Sequence, residues 1–153
     1  MAVNRKAAAA ALAIAIAVPM EGLRQVAYYD PPGILTVCYG HTGPDVVKGK
    51  KYSLKECDAY LTDDMRQAID TVERCHPGLP APVLAAFGDA VFNLGPSVAC
   101  DSTASRYLSV GRIADACEQL MRWNKARVAG VLVELPGLTK RRTIERDLCL
   151  EGV

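Results

Sequence analysis

Six cysteines spread through the body of the chain constrain this sequence more than any other feature. Neither a zinc site nor a thioredoxin-type redox site fits their spacing, because the sequence holds no CxxC pair. Three structural disulfides in an oxidising compartment fit an even set of dispersed cysteines. The alternative is six buried thiols in a cytosolic protein, and the residues alone leave the pairing open. The cysteines are Cys38, Cys57, Cys75, Cys100, Cys117 and Cys149.

The composition sets further limits on fold and partners. A chain of 153 residues corresponds to one domain, and its 50% hydrophobic and 23% charged residues exclude collagen-like, low-complexity and disordered proteins. Eighteen Lys and Arg against 17 Asp and Glu leave a net charge of +1, so we expect no nucleic-acid partner. The sequence contains no cluster of His, Cys and carboxylates at metal-ligand spacing, and we expect no metal or organic cofactor.

The N-terminus has the layout of an export signal. Arg5 and Lys6 precede an uncharged, alanine-rich run from Ala7 to Met20, and the first acidic residue is Glu21. At about 1.5 Å per residue this run covers roughly 21 Å of a hydrocarbon core about 30 Å thick, so it is a weak anchor. An Ala-x-Ala cleavage site is present at residues 15–17. Cleavage there would place Glu21 close to the new terminus.

The next part of the chain predicts a β-hairpin and a long helix. Residues 26–29 and 34–39 are rich in β-branched and aromatic types, and Asp-Pro-Pro-Gly at 30–33 is a strong turn signal. Ser53 and Glu56 form a capping box that opens a helix to about Arg74. That helix is long enough to link two lobes.

The remaining sequence is predicted to be helical. Pro82 suits the first turn of a helix that ends at about residue 92, before Gly-Pro at 95–96. Asp101 or Ser102 caps a short helix to residue 109, and another helix reaches residue 123. A looser stretch through Gly130 and Pro136 then leads to a last helix over residues 139–149.

Candidate catalytic groups are concentrated between Glu21 and Thr36. Eight residues separate Glu21 from Asp30, and five separate Asp30 from Thr36. Glycosidic cleavage needs one protonated and one ionised carboxyl group. Glu21 follows an uncharged segment, which keeps a carboxyl group protonated, whereas Asp30 on a solvated turn stays charged and suits a base. The alternative is that Glu21 only ends a helix and Asp30 only starts a turn.

These residues and their neighbours resemble the phage lysozyme family, glycoside hydrolase family 24. The resemblance lies in Glu-Gly-Leu-Arg at 21–24, Asp30, Thr36 and Tyr-Gly-His-Thr-Gly at 39–43. It continues in order with Phe-Asn-Leu-Gly at 92–95, residues 120–123, and Gly-Leu-Thr-Lys-Arg-Arg at 137–142.

The resemblance implies a mainly helical α+β fold, with a small β-hairpin lobe and a larger helical lobe joined by a long helix around a cleft. It implies hydrolysis of peptidoglycan between N-acetylmuramic acid and N-acetylglucosamine. Glu21 is then the general acid, and Asp30 and Thr36 hold the attacking water in an inverting arrangement. Asn93, Gly95 and Arg142 are the expected substrate-binding residues.

Further expectations rest on the same resemblance. His41 is expected to be a structural hydrogen-bonding residue rather than a catalytic base. One arginine of the basic stretch from Arg122 to Arg146 is expected to face the cleft and to pair with Glu21 or with wall carboxylates. Residues 125–136 lack the Gly-rich and basic pattern usual in the family, so their contribution to the cleft stays open. The expected disulfides are Cys38 with Cys57, Cys75 with Cys100, and Cys117 with Cys149.

The N-terminal run resembles that of signal-anchor-release endolysins. Residues 1–20 are then an uncleaved anchor, and residues 21–153 a single catalytic domain that acts as a monomer. We expect export, anchoring in the host inner membrane through residues 7–20, and release to the periplasm, where the anchor packs as a first helix and brings Glu21 to the cleft.

Three other functions are compatible with the residues alone. A lytic transglycosylase needs no water held by Thr36 and yields an anhydro sugar. A chitinase on a related fold uses the same pair of acids. A secreted wall-binding domain without catalysis retains its binding when Glu21 is replaced by Gln.

Overall fold

The computed structural model describes residues 4–153, so Met1–Val3 of the expected anchor lie outside the described residues. The helices are α1 (Arg5–Glu21), α2 (Leu54–Cys75), α3 (Ala81–Leu94), α4 (Ser97–Cys100), α5 (Thr103–Ser109), α6 (Ile113–Gln119) and α7 (Pro136–Glu151). The strands are β1 (Arg24–Tyr29), β2 (Leu35–Cys38), β3 (His41–Thr42), β4 (Lys125–Val128) and β5 (Val131–Glu134).

Helix α1 contains the uncharged run and ends on Glu21. The Asn4 side chain caps its first turn by accepting the backbone N–H groups of Lys6 and Ala7. Its buried face is made chiefly of small residues, which lets the helix pack closely against α3 and α2. That face consists of Ala9, Ala13, Ile16 and Ala17. Since Glu21 belongs to the same helix, the expected boundary between anchor and catalytic domain falls inside α1.

Helix α2 joins the small sheet to the helical lobe. The predicted capping box is present, with Ser53 accepting the N–H of Glu56 and the Glu56 carboxylate accepting the N–H of Ser53. One face of α2 is buried through Leu61, Met65 and Val72. The sequence therefore located this long helix correctly.

The small lobe is an antiparallel sheet in the order β1-β2-β3. Thr36 pairs with Tyr28 on β1 and with Thr42 on β3, which places it in the middle strand. The predicted turn is present between β1 and β2, where the N–H of Asp30 donates to the carbonyl of Ile34 at 3.0 Å. A disulfide from Cys38 to Cys57 ties this sheet to α2.

Helix α3 is the centre of the larger lobe, with a continuous buried segment from Val83 to Val91. It contacts α1, α2 and α7. Gly88 permits the close approach of α2, because a Cβ there would lie 2.3 Å from Cδ1 of Ile69. The other disulfides join Cys75 to Cys100 and Cys117 to Cys149, so all three bonds have the pairing that the resemblance implies.

The last third of the chain departs from the prediction in two places. Residues expected to form a loose stretch form the β4–β5 hairpin, whose turn carries Ala129 and Gly130 at φ of 51° and 81°. Helix α7 begins at Pro136 rather than at residue 139, because proline is favoured in a first helical turn. No helix within residues 4–153 combines the length and the apolarity needed to cross a bilayer.

Candidate active site

A cleft of about 600 Å³ lies between the small sheet and the helical lobe. It brings together the three residues predicted to be catalytic, although α1, the β1–β2 turn and β2 supply one each. The facing wall comes from α2 and α3. The lining residues from these elements are Glu21, Asp30, Thr36, Asp64, Gln67, Ala68, Thr71, Val91, Phe92 and Asn93.

Glu21 is the last residue of α1, and Gly22 ends the helix there with a positive φ of 71°. Its Oε1 accepts a hydrogen bond from Nη1 of Arg141 at 2.7 Å, and its side chain is 20% exposed. A Cβ at Gly40 would lie 3.2 Å from Oε2, so glycine leaves space beside that oxygen. An arginine from α7 therefore reaches the Glu21 carboxylate, although the segment that precedes Glu21 in the sequence is uncharged.

Arg141 links Glu21 to a second, fully buried carboxylate. Its Nε and Nη2 donate to the two oxygens of Asp89, each at 2.8 Å. Burial alone lowers the pKa of Arg141, but the hydrogen bonds and charges of Asp89 and Glu21 outweigh it and raise that pKa above its ordinary value. Arg141 thus stays charged and is the arginine that pairs with Glu21.

Arg142 does not reach the cleft, so its predicted role as a substrate-binding residue is wrong. Its side chain is completely buried and pairs with Glu145 at 2.7 Å. The pKa of Glu145 is raised well above its ordinary value, chiefly by burial and next by the neighbouring Asp89. Arg142 also donates to Oδ1 of Asn93 at 2.9 Å. It therefore fixes a cleft residue from behind.

Asp30 and Thr36 are held by the backbone of the same turn. Oδ1 of Asp30 accepts the N–H of Ile34 at 2.7 Å, and Oγ1 of Thr36 donates to the carbonyl of Ile34 at 2.9 Å. Thr36 is buried, whereas Asp30 is half-buried. The Thr36 oxygen is left free to accept, and so is the second oxygen of Asp30.

His41 is a buried link between β3 and α2. Its Nδ1 bonds Asp64 at 2.7 Å, its Nε2 bonds Asp45 at 2.9 Å, and its ring stacks on Tyr60. Burial lowers the pKa of His41, but the two carboxylates outweigh burial and raise that pKa above its ordinary value. Burial raises the pKa of Asp64, with His41 opposing it. Both ring nitrogens are occupied, which gives His41 a structural position.

Comparison with known proteins identifies the kind of site. The sequence profile of the phage lysozyme family matches residues 18–145. The chain belongs to the phage lysozyme family. The SAR-endolysin of Bacteriophage PS119 is 39% identical over 137 residues, which cover 87% of this chain and 78% of that protein. The SAR-endolysin of Enterobacteria phage P21 is 36% identical over 162 residues, covering 97% and 96%.

The fold of this phage lysozyme family member is similar to that of a solved endolysin structure. The endolysin from Escherichia coli O157:H7 phage FAHEc1 superposes with a TM-score of 0.79 at 29% identity, over 100% of this chain and 96% of that one. The mainly helical α+β fold predicted from the sequence is thus confirmed.

Sequence reasoning missed the part of the lysozyme cleft that α2 supplies. Asp64, Gln67 and Thr71 line it, and their spacing of three and four residues places them on one helix face. Asn93 lies in the cleft as predicted. Gly95 ends α3 with a φ of 99° and is not among the cleft-lining residues. Within residues 4–153 no group of His, Cys, Asp and Glu is arranged to hold a metal ion.

Proposed function

We propose that this endolysin hydrolyses the β-1,4 bond between N-acetylmuramic acid and N-acetylglucosamine with inversion, using Glu21 as acid and Asp30 with Thr36 as the water site. The observation that carries the proposal is that these three side chains, from three separate elements, line one cleft. Two carboxyl groups on opposite sides of a bound glycan are the arrangement that glycosidic cleavage requires.

Arg141 determines which oxygen of Glu21 carries the proton. Because Nη1 of Arg141 donates to Oε1, that oxygen acts as an acceptor, and the proton resides on Oε2 beside Gly40. Asp89 already balances the arginine charge with two hydrogen bonds. As the general acid, Glu21 donates its proton from Oε2 to the glycosidic oxygen as the bond to the anomeric carbon breaks.

Asp30 and Thr36 supply the nucleophile. One water molecule donates to Oγ1 of Thr36 and to the free carboxylate oxygen of Asp30, and its oxygen attacks the anomeric carbon from the face opposite Glu21. Asp30 accepts the proton that the water loses. The products are two sugar chains, with Glu21 ionised and Asp30 protonated until solvent exchange restores both.

Hydrolysis of purified peptidoglycan tests this assignment. We expect Glu21→Gln, Asp30→Asn and Thr36→Val to clear it at least about a hundredfold more slowly than wild type. Glu134→Gln, at an exposed position of β5, is the matched control and retains full activity. Clearing by Glu21→Gln at the wild-type rate would contradict the proposal. Full activity of Thr36→Val together with an anhydro-sugar product would indicate a lytic transglycosylase.

We also propose that residues 7–20 first anchor the chain in the inner membrane and that release to the periplasm activates it as a monomer. Two features support this. Glu21 is carried by the helix that contains the uncharged run, so a membrane-inserted α1 withdraws the acid from Arg141. Arg5 and Lys6, at the end that an inserted segment leaves in the cytoplasm, pair with Glu73 and Asp70 of α2 when α1 is packed.

Substitutions on the exposed face of α1 test the release. Replacing Ala7, Ala11 and Ala15 by Leu adds apolarity without touching the buried face. Each central Leu favours insertion by up to about 0.6 kcal/mol, so we expect slower release from the membrane fraction and later lysis. Replacing the same three residues by Ser is expected to give faster release from the membrane fraction and earlier lysis. Unchanged fractionation in both triple variants would contradict the weak anchor.

A further inference from the structure

The β4–β5 hairpin exposes an apolar surface that the catalytic cleft does not use. Val131 and Leu132 are 62% and 57% exposed, and Val128 and Val133 are 49% and 39% exposed. None of the residues that line the cleft lies between 125 and 134. Several exposed apolar side chains grouped on one hairpin are typical of an interaction site.

The register of the hairpin separates a wholly apolar face from a second face that carries Leu132 and the charged residues. Val128 pairs with Val131, and Ala126 pairs with Val133. Directly paired residues point to the same face of a sheet, so these four side chains form one wholly apolar face. The other face carries the remaining pairs, Arg127 with Leu132 and Lys125 with Glu134.

We infer that the tip of this hairpin docks into the headgroup region of an anionic lipid bilayer. Val128 and Val131 flank the turn and enter first. Arg127 lies beside them, and its Nη1 donates to the carbonyl of Gly130 in the turn at 3.2 Å. The guanidinium is thus at the depth of the lipid phosphates, with Lys125 two residues behind it. This charge complementarity favours an anionic membrane over an uncharged partner.

The length of the hairpin fits a shallow position in the bilayer. Val133 lies two residues behind Val131, about 7 Å at roughly 3.3 Å per residue, and interfacial segments bury their apolar side chains about 5–10 Å deep. Unpaired strand edges do not enter hydrocarbon, so the hairpin stops at the interface. The inference rests on the proposed release from the inner membrane, which leaves the folded chain next to that surface.

Partition of the full, disulfide-bonded chain onto lipid vesicles tests the inference. Sedimentation with phosphatidylglycerol–phosphatidylcholine vesicles is compared for wild type, the double variant Val128→Ser/Val131→Ser, and Val110→Ser. Val110 is 69% exposed between α5 and α6 and is the matched apolar control. Residues 5–21 are identical in all three, so any binding through α1 is shared. We expect about tenfold weaker partition for the double variant and no change for Val110→Ser.

The charged residues provide a second arm. Lys125→Gln and Arg127→Gln are each expected to weaken binding to the anionic vesicles about fivefold, without effect on pure phosphatidylcholine. Equal partition of wild type and the valine variant would overturn the inference, and so would failure of the wild type to bind. A concentration-dependent dimer that the valine variant abolishes, with vesicle binding unchanged, would assign the patch to a second copy of the chain and overturn the inference too.

Hydrolysis of soluble peptidoglycan fragments is measured on the same samples. All these hairpin variants are expected to hydrolyse the fragments at the wild-type rate, because none of the substituted residues lines the cleft. An inactive wild type that still binds vesicles through the hairpin would contradict the proposed hydrolysis and leave the lipid contact supported. The two proposals can therefore fail separately.

Discussion

Glu21, on one side of the cleft, is held by three helices and a buried ion pair, whereas Asp30, on the other, is held by one hairpin turn. Arg141 of α7 connects Glu21 at the end of α1 to Asp89 inside α3. Asp30 needs only the N–H of Ile34, four residues away. The proposed acid therefore depends on long-range packing that includes the N-terminal helix, while the proposed water site forms locally. This difference agrees with the proposed activation, in which α1 leaves the membrane and packs on the helical lobe.

The largest expected loss of stability comes from Asp89→Asn, which removes the buried charge that supports Arg141 on the Glu21 side of the cleft. Removal of one partner from a buried ion pair costs about 3–5 kcal/mol of the free energy of unfolding. Urea denaturation measures the loss, and Asp101→Asn, at an exposed position, is the control with little change. A loss below about 1 kcal/mol would show that Asp89 does not support Arg141.

The next largest effect is expected for His41→Gln, because His41 is the buried ionic contact that joins the hairpin side to α2. The folded state raises the pKa of His41. Its stabilisation is therefore complete below the unfolded pKa of about 6.5 and is lost as pH rises through the higher folded value. We expect a loss of about 2 kcal/mol at about pH 5.5 and a smaller loss at about pH 9. A larger loss at the higher pH would contradict this assignment.

A pair of variants in α1 tests whether the packing of this helix positions Glu21. Ala13 is fully buried and Ala15 is exposed, so Ala13→Leu and Ala15→Leu add the same apolar group to opposite faces. Only the buried substitution overpacks the contact with α3, at a cost of about 1–3 kcal/mol, and it displaces Glu21. The midpoint temperature of thermal unfolding and the rate of peptidoglycan clearing should both fall for Ala13→Leu, and neither should fall for Ala15→Leu. Equal effects of the two variants would mean that α1 packing does not position the acid.

The smallest expected change in stability belongs to Asp30→Asn. An amide oxygen at this exposed turn still accepts the N–H of Ile34, so the free energy of unfolding should change by less than about 0.5 kcal/mol. Peptidoglycan clearing should nevertheless be lost. Large destabilisation by Asp30→Asn would show that this side of the cleft is not the local structure described above.

Local signals predicted the elements that form locally. The capping box of Ser53 and Glu56 located the start of α2, and Ser102 is the cap of α5. The Asp-Pro-Pro-Gly turn located the first hairpin. The β4–β5 hairpin escaped prediction because its turn is Ala-Gly, with Ala129 at positive φ, rather than the Asn-Gly or Asp-Gly pair that marks such turns.

Contacts between distant elements were harder to predict than the elements themselves. The sequence indicated that an arginine of the basic stretch faces the cleft, and Arg142 was the expected substrate-binding residue. Adjacent residues on a helix point about 100° apart, so the pattern alone does not fix which arginine reaches Glu21. The packing of α7 against α3 turns Arg141 to the cleft and buries Arg142 beside Glu145. The contact of Glu21 with Arg141 is of the same kind, because the two residues are 120 positions apart in the sequence.

The configuration of the first sugar product tests the central assignment most directly. Proton NMR during hydrolysis of soluble peptidoglycan fragments resolves the two anomers of the newly formed reducing end before they equilibrate. Water held by Asp30 and Thr36 opposite Glu21 attacks from the far face, so the α-anomer of N-acetylmuramic acid should appear first. Initial appearance of the β-anomer would mean that one of the carboxylates acts as a nucleophile, and it would contradict the account.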